Sequence, residues 1–240
     1  MQPPNPAAAA VVLAGGSGTR VGAGRNKVYL PLGGRPVLAW SLATFAGMPE
    51  VGTVVLVVRA EDREPAAELL AEHGPGVAVV TGGSTRQESE LAALRHLAPC
   101  IADGSIDVVL LHDGARPLAS RTLAEEVLRV ARADGGAVPG LRRHDLAGAG
   151  PDADTLAGAA PEGLVAVQTP QGFRAGPLLA AYEEAARHGF AGTDTASCLE
   201  RFAPGVPIRW VPGEERNFKI TYAHDLVAAE HALRGEISGV

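Results

Sequence analysis

A glycine-rich run followed by two cationic side chains is the feature of this sequence best suited to chemistry. Residues 13–20 read LAGGSGTR and end at Arg20, and Lys27 follows shortly after. Glycines at the end of a strand let backbone N–H groups approach an anion closely. An Arg fork and a Lys point charge complete a set of donors that suits a triphosphate. The alternative interpretation is an ordinary glycine-rich connection with exposed basic residues.

Two better-known phosphate motifs do not fit this run. A dinucleotide fingerprint needs a third glycine and an acidic residue at the end of the second strand, where this chain has Arg59. A P-loop needs Gly-Lys-Ser or Gly-Lys-Thr, and neither follows the glycines. The run therefore predicts a phosphate-binding turn of another kind.

A carboxylate lies at the end of another apolar segment. Residues 108–112 predict a buried strand, and Asp113, Gly114 and Arg116 follow it closely. Ligands of open α/β sheets bind at the carboxyl ends of strands. Asp113 could hold Mg²⁺ against a triphosphate there, while Arg116 balances the charge. A structural Asp–Arg pair is the alternative interpretation.

Three further segments carry polar groups that could complete a pocket. The Gly-Gly turn that begins at Gly82 precedes hydroxyls that can contact a base edge, although a capped loop before a helix explains it equally well. Thr193 and Asp194 open a short helix and could be its cap alone. Lys219 is a single lysine in an otherwise apolar stretch, where the usual role of a lysine is a solvated surface charge.

Short apolar runs alternate with amphipathic stretches, a pattern typical of an α/β fold with a mostly parallel sheet and helices on both faces. Predicted strands cover residues 8–13, 53–58, 77–80, 108–112, 165–168 and 208–211. Predicted helices cover residues 36–45, 62–73, 85–97, 120–134, 176–188 and 223–233, with a short helix opened by Thr193. Thr85 with Glu88, and Thr122 with Glu125, have the spacing of a capping box.

One segment breaks this alternation. Residues 141–162 are rich in Gly, Ala, Pro and Asp and lack clear periodicity. They predict either a disordered loop or an arm that orders against a partner. The sequence therefore predicts a single domain over residues 7–236 with an arm-like insertion at about 141–163.

Composition limits the classes of function. The chain has 240 residues, 46% of them hydrophobic, and a formal net charge of −6. This charge argues against a general nucleic-acid binder, which needs a basic face. No apolar stretch approaches the ~20 residues that span a bilayer, and no signal peptide is evident. Two cysteines without metal or redox spacing are expected to be reduced thiols, so we expect a cytoplasmic protein.

Taken in order, these segments resemble the 2-C-methyl-D-erythritol 4-phosphate cytidylyltransferases of the non-mevalonate isoprenoid pathway over residues 11–233. The resemblance implies a Rossmann-like sheet with a projecting arm that builds a homodimer. It also implies a reaction in which CMP passes from CTP to a small polyol phosphate, with Mg²⁺ as cofactor and pyrophosphate as second product.

The resemblance also implies roles for individual residues. Three cations act at the reacting phosphorus: Arg20, Lys27 and Lys219. Nucleotide contacts fall on Ala14, Gly15, Gly16, Gly82, Arg86, Ser89 and Gly114, and the carboxylate near the ribose and Mg²⁺ is Asp113. The substrate pocket is bordered by Thr193 and Asp194, with Arg116 also on the substrate side.

The chain departs from the family pattern at the acceptor side. Residues 141–146 (LRRHDL) lack the family's Asp-Thr pair, and Pro161 and Glu162 stand where the family places an Arg. The run LAGG replaces the commoner PAAG, as in the related ribitol 5-phosphate cytidylyltransferases. Arg142, Arg143 or His144 could donate to a phosphate dianion instead.

Three hypotheses follow from this division. The chain is the methylerythritol phosphate enzyme, an enzyme for ribitol 5-phosphate or another polyol phosphate, or a non-catalytic nucleotide-binding homologue.

Overall fold

The structure is a computed structural model that describes residues 7–16, 26–150, 154–159, 161–192 and 194–235. The strands are β1 (Ala7–Leu13), β2 (Pro31–Leu32), β3 (Arg35–Pro36), β4 (Val51–Val58), β5 (Ala78–Thr81), β6 (Ile106–Asp113), β7 (Gly136–Arg142), β8 (Ala147–Ala149), β9 (Leu156–Ala159), β10 (Val165–Val167), β11 (Gln171–Arg174) and β12 (Ile208–Pro212). The helices are α1 (Val37–Ala46), α2 (Arg63–His73), α3 (Arg86–Ala102), α4 (Arg121–Asp134), α5 (Ala175–Arg187), α6 (Thr195–Phe202) and α7 (Ala223–Leu233).

The apolar run of β1 places this strand at the centre of the sheet. β1 pairs in parallel with β4 on one side and with β6 on the other, and β5 continues the parallel half beyond β4. Side chains of a strand alternate between the two faces. Ala8, Ala10 and Val12 therefore join one core, and Ala9 and Val11 join the other.

The sheet continues beyond β6 with mixed pairing. β11 runs antiparallel to β6 and β7, β10 pairs with the end of β7, and β12 lies parallel to β7. The sequence does not predict β7 or β11. β7 contains Gly136, Pro139 and Gly140, and β11 is four residues long, so both lack the β-branched run that identifies a strand.

Helices cover both faces of this sheet, as predicted. α1, α2 and α4 bury their apolar residues in the core on one face, and α3, α5 and α6 do so on the other. α7 packs with the β2–β3 hairpin in a smaller cluster. None of the helices in the described ranges combines the length and apolar character that crossing a bilayer requires.

Two helix starts test the predicted capping boxes. Thr85 accepts a hydrogen bond from the N–H of Glu88 at 3.1 Å, and the Glu88 carboxylate accepts one from the N–H of Thr85 at 3.1 Å, so the first box is confirmed. The second is wrong. Ser120 caps α4 by accepting from the N–H of Leu123 at 3.0 Å, because the chain enters the helix before Thr122.

Part of the predicted arm leaves the main sheet. β8 and β9 pair with each other in a separate antiparallel hairpin, whereas β7 and β10 on either side of it belong to the main sheet. Leu156 in this hairpin is 80% exposed, and Leu146 just before it is also exposed. A single domain over residues 7–236, with its arm at 141–163, stays a prediction.

Candidate functional site

Three parallel strands end at one level and open a cleft at the edge of the sheet. Leu13 at the end of β1 is in register with Val57 of β4 and Asp113 of β6. The cleft has a volume of about 260 Å³. Eight of the predicted site residues line it: Ala14, Gly15, Gly16, Lys27, Arg86, Ser89, Asp113 and Lys219.

The remaining predicted residues are divided among three places. Among the described residues, Gly82, Gly114 and Arg116 lie beside the cleft without lining it. Asp194, Arg142 and Arg143 belong to other elements, treated below. Arg20 and Thr193 lie outside the described residues.

Asp113 is the centre of a compact cluster of charges. Its side chain is almost fully buried, and Lys219 Nζ lies 2.9 Å from Oδ2. Arg86 donates from Nη1 to Oδ1, and Arg116 Nε lies 3.7 Å from Oδ2. Arg86 also donates from Nε to Glu90 at 3.0 Å. Three cations therefore surround one carboxylate at the end of β6.

Asp113 and Arg86 keep their charges at neutral pH. Burial alone would raise the pKa of Asp113, but the cations Arg86 and Lys219 oppose this and hold the pKa well below its usual range. Burial would likewise lower the pKa of Arg86, but Asp113 and Glu90 raise it above its usual value. Arg86 can therefore bind an anionic ligand, and Asp113 a cation, without a change of protonation.

Lys219 is held over Asp113 by the chain on either side of it. Arg116 donates to the carbonyl of Asn217 at 2.8 Å, and the fully buried Asn217 side chain donates to the carbonyl of Thr169 at 2.8 Å. On the other side, the N–H of Ile220 donates to the carbonyl of Ala115 at 2.8 Å. Lys219 is therefore not an ordinary solvated lysine.

Lys27 enters the cleft from a braced turn. The buried side chain of Asn26 caps this turn and donates to the carbonyl of Ala14 at 2.7 Å and to Asp62 at 3.0 Å. Arg59 in turn holds both oxygens of Asp62, at 2.8 and 3.0 Å. Asn26, which directly precedes Lys27, thus joins this turn to the glycine segment and to Asp62. Sequence reasoning missed Asn26, although its place directly before Lys27 was a usable signal.

Two of the predicted glycines allow close packing around the cleft. A Cβ added at Gly114 would lie 3.0 Å from the carbonyl oxygen of Leu13 and 2.9 Å from Leu38. A Cβ at Gly82 would lie 2.5 Å from the Ser89 hydroxyl. The turn after Gly82 presents Gly83, Ser84 and Thr85 to the cleft, because the Glu88 carboxylate binds two of their N–H groups.

A buried histidine supports the end of β6. His112 is fully buried, its Nε2 lies 3.1 Å from the carbonyl oxygen of Arg116, and its Nδ1 lies 3.1 Å from the Thr169 hydroxyl. That hydroxyl accepts from the N–H of Asp113 at 3.0 Å. A neutral ring with the proton on Nε2 satisfies all three groups. Burial lowers the pKa of His112 to about 4, so the ring is neutral at physiological pH.

Arg142 and Arg143 lie at the same edge of the sheet as Asp113 but farther away. The pairing through β11 puts Gly140 of β7 at the level of Asp113, so Arg142 lies two residues past it and roughly 12 Å away between Cα atoms. The Arg142 guanidinium stacks 4.9 Å from the centre of the Trp210 ring, and Arg143 pairs with Asp145. Asp194 caps α6 by accepting from the N–H of Ser197 at 3.0 Å.

The donor set of the cleft fits a magnesium ion that arrives with a triphosphate. Asp113 is the acidic lining residue of the described part, and nowhere in that part do three His, Cys, Asp or Glu side chains come together as a metal site. Mg²⁺ commonly takes one or two carboxylates, with substrate phosphates and water completing its shell. One carboxylate at the end of β6 meets this requirement.

Comparison with known proteins places this chain in a family. The family model for IspD, 2-C-methyl-D-erythritol 4-phosphate cytidylyltransferase, matches residues 8–235. The chain is 39% identical to the 2-C-methyl-D-erythritol 4-phosphate cytidylyltransferase of Thermobifida fusca, over 95% of this chain and 94% of that protein. It is 42% identical to the bifunctional enzyme IspD/IspF of Rhodobacter capsulatus, over 94% of this chain and 56% of that protein. The chain thus spans little more than half of the bifunctional relative.

Solved structures give the same result. The crystal structure of 4-diphosphocytidyl-2C-methyl-D-erythritol synthase from Anaerococcus prevotii has a TM-score of 0.82 at 28% identity, over 96% of this chain and 97% of that one. The 2-C-methyl-D-erythritol 4-phosphate cytidylyltransferase of Thermus thermophilus has a TM-score of 0.73 at 33% identity, over 95% of this chain and 99% of that one.

Proposed function

Because the chain belongs to the 2-C-methyl-D-erythritol 4-phosphate cytidylyltransferase family, we propose that it transfers CMP from CTP to 2-C-methyl-D-erythritol 4-phosphate. The observation that carries the proposal is the cleft in which Lys27 and Lys219 line the same space as the glycine segment 14–16. Backbone donors and two ammonium groups in one cleft are the groups that a triphosphate requires.

The proposed reaction is a direct displacement at phosphorus. An oxygen of the acceptor's phosphate attacks the α-phosphorus of CTP, and the bond from that phosphorus to the oxygen bridging the α- and β-phosphates breaks. Pyrophosphate leaves with the electron pair of that bond. The attacking phosphate is already an anion, so no general base is needed. Positioning and charge neutralisation carry the catalysis.

Each group of the cleft has a place in this proposal. Lys27 and Lys219 stabilise the negative charge that grows around the α-phosphorus. Arg20 is assigned the same role by the family resemblance. Asp113 would hold Mg²⁺, which when bound would supply positive charge to the phosphate groups. The base of the nucleotide is assigned to the turn at Gly83 and Ser84, which lines the same cleft.

The acceptor is tested by a panel of phosphates. The protein is incubated with CTP, Mg²⁺ and either 2-C-methyl-D-erythritol 4-phosphate, ribitol 5-phosphate or erythritol 4-phosphate, and pyrophosphate release is measured. We expect release with the first acceptor and little with the others. Release only with ribitol 5-phosphate would show that the protein is a ribitol 5-phosphate cytidylyltransferase instead. CTP binding without release on any acceptor would make it a non-catalytic homologue.

We also propose that the protein forms a homodimer through its arm. Leu146, just before the β8–β9 hairpin, is 44% exposed, and Leu156 within it is 80% exposed. Burying these large apolar side chains against a partner would remove apolar surface from water. Leu156→Asp should therefore shift the protein to monomers in analytical ultracentrifugation, whereas Val227→Asp, an exposed apolar position on α7, should not. Dimers in both variants would exclude the arm as the interface.

A cytoplasmic location is part of the same proposal. Cys198 is buried and Cys100 is partly buried, and both are free thiols. Free thiols are typical of reducing compartments. Fractionation of the producing cells, with detection by antibody, checks this location.

A further inference from the structure

The carboxyl group of Glu90 lies behind the cleft, in a place where an apolar residue would be expected. Glu90 is on α3 and is 1% exposed. Its Oε2 accepts from the Tyr182 hydroxyl at 2.6 Å, and its Oε1 accepts from the Thr195 hydroxyl at 2.7 Å and from Arg86 Nε at 3.0 Å. Neither the motifs nor the family resemblance gives Glu90 a role.

Stability alone does not account for such a group. Removing a carboxylate from water carries a large desolvation penalty, and a well-packed apolar side chain of similar volume is often at least as stabilising. Burial accordingly raises the pKa of Glu90. The compensating interactions are directional hydrogen bonds, which fix orientation. The group that they orient at the cleft is Arg86.

Glu90 and Asp113 hold Arg86 from two sides. Arg86 and Glu90 are four residues apart on α3, so they lie on the same face of the helix. The Nε of Arg86 points to Glu90 and its Nη1 to Asp113. Because a guanidinium is planar, two fixed donors set the plane of the whole group. The Arg86 side chain is still 34% exposed, so without Glu90 it has room to reorient.

The orientation of Arg86 matters for Asp113 and Lys219. With Nε held by Glu90, Arg86 contacts one oxygen of Asp113, and Lys219 contacts the other. An Arg86 released from Glu90 could form a two-point fork with Asp113 and displace Lys219. Asp113 and Lys219 both line the cleft, so this change would reach the nucleotide.

We propose that Glu90 is a positioning residue for the nucleotide cleft: it anchors Arg86 so that Asp113 and Lys219 keep the arrangement that receives CTP. Glu90 acts from α3 through Arg86 and does not itself line the cleft. The proposal rests on the proposed function in one respect, since it takes CTP as the ligand of the cleft.

The central variant is Glu90→Gln. Glutamine keeps the shape and can still bond Tyr182 and Thr195, but it lacks the charge that anchors Arg86. We expect kcat/KM for CTP to fall roughly 10-fold to 100-fold, the range seen when supporting partners of active-site groups are removed. Tyr182→Phe is the matched control: it removes a bond to the same carboxylate but leaves the Glu90–Arg86 pair, so kcat/KM should stay near that of the unaltered protein.

A double-mutant cycle separates positioning from a general loss of stability. Lysine in place of Arg86 cannot bridge two carboxylates, so Glu90→Gln should lower kcat/KM much less when Arg86→Lys is already present. Full additivity of the two changes, or an unchanged kcat/KM in Glu90→Gln with a lower melting temperature, overturns the proposal. If Glu90→Gln does not fold, Glu90→Asp, which withdraws the carboxylate by one methylene, is expected to give the same kinetic loss.

A measurement without substrate keeps this test apart from the proposed function. The Arg86 Nε–H resonance, assigned by its disappearance in Arg86→Lys, should exchange slowly with water in the unaltered protein and in Tyr182→Phe. It should exchange fast in Glu90→Gln. If the unaltered protein does not release pyrophosphate, the proposed function is contradicted. The exchange rate of this resonance still shows whether Glu90 anchors Arg86. Slow exchange in Glu90→Gln decides against it.

Discussion

Acidification should destabilise this protein through His112 well before most carboxylates are protonated. The pKa of an unfolded histidine is about 6.5, and burial lowers that of His112 to about 4. The folded state therefore binds fewer protons than the unfolded state between these values. The neutral ring contributes stability that is complete above the unfolded pKa and is lost as the pH falls towards the folded one.

The size of the effect follows from the two pKa values. Linkage gives a loss of about 2 kcal/mol between pH 7.5 and 5, and about 3 kcal/mol by pH 4. The fully buried position of His112 means that solvent screens little of it. The contribution of Asp113 to stability is expected to persist between pH 7.5 and 5. Its folded-state pKa lies well below the usual range, so this contribution is lost only when the pH falls below the pKa of the unfolded aspartate, about 3.9.

The assay is urea unfolding of the ligand-free protein at a series of pH values, followed by the fluorescence of its two tryptophans. His112→Gln is the control, since an amide can donate to the Arg116 carbonyl but does not titrate. This variant is expected to be less stable at neutral pH and to lose about 2 kcal/mol less than the unaltered protein on acidification to pH 5. Equal pH dependence in the two proteins, or an unaltered protein whose stability is flat between these pH values, would refute the reasoning.

Three further predictions test the cleft, one of them with a control substitution. Lys27→Ala should remove about 3 kcal/mol of transition-state stabilisation. Its effect should therefore be a large fall in kcat and only a small rise in KM for CTP. Unchanged turnover in steady-state kinetics would show that Lys27 takes no part in the chemistry. Gly114→Ala should lower the free energy of unfolding by about 1–3 kcal/mol, because its Cβ would lie 3.0 Å from a backbone oxygen at the end of β1. At Gly16 an added Cβ meets no atom of the described residues within 4 Å, so Gly16→Ala should leave the free energy of unfolding unchanged. Equal losses in both variants would contradict the packing argument. Asn26→Ala removes the bonds that brace Lys27 and should lower both kcat and stability, whereas normal initial rates would show that Lys27 does not depend on the brace.

The sequence predicts those parts of the protein whose signals are local. The strands β1, β4 and β6 are buried on both faces over most of their length, and the edge strand β5 is partly buried. Each therefore appears as a short apolar run, and all four are confirmed within two residues at each end. The glycine segment directly follows β1, and Asp113 is the last residue of β6. Because parallel strands end at one edge, their order along the chain already indicates that these groups meet.

The remaining parts depend on contacts that no local pattern encodes. Glu90 is 92 residues from Tyr182 and 105 from Thr195, and its glutamate looks like any polar residue of a helix. β7 owes its place to pairing with three other strands rather than to β-forming residues. Thr122 has the spacing of a cap, but Ser120 comes earlier in the chain and already accepts a hydrogen bond from an N–H group of the first turn of α4.

The most direct test of the account is a crystal structure with CTP and Mg²⁺ bound. The account predicts that the triphosphate lies along residues 14–16, with oxygens of the α-phosphate within about 3 Å of the Nζ atoms of Lys27 and Lys219. A nucleotide bound elsewhere, or a cleft without nucleotide while both lysines point away from it, would contradict the central claim.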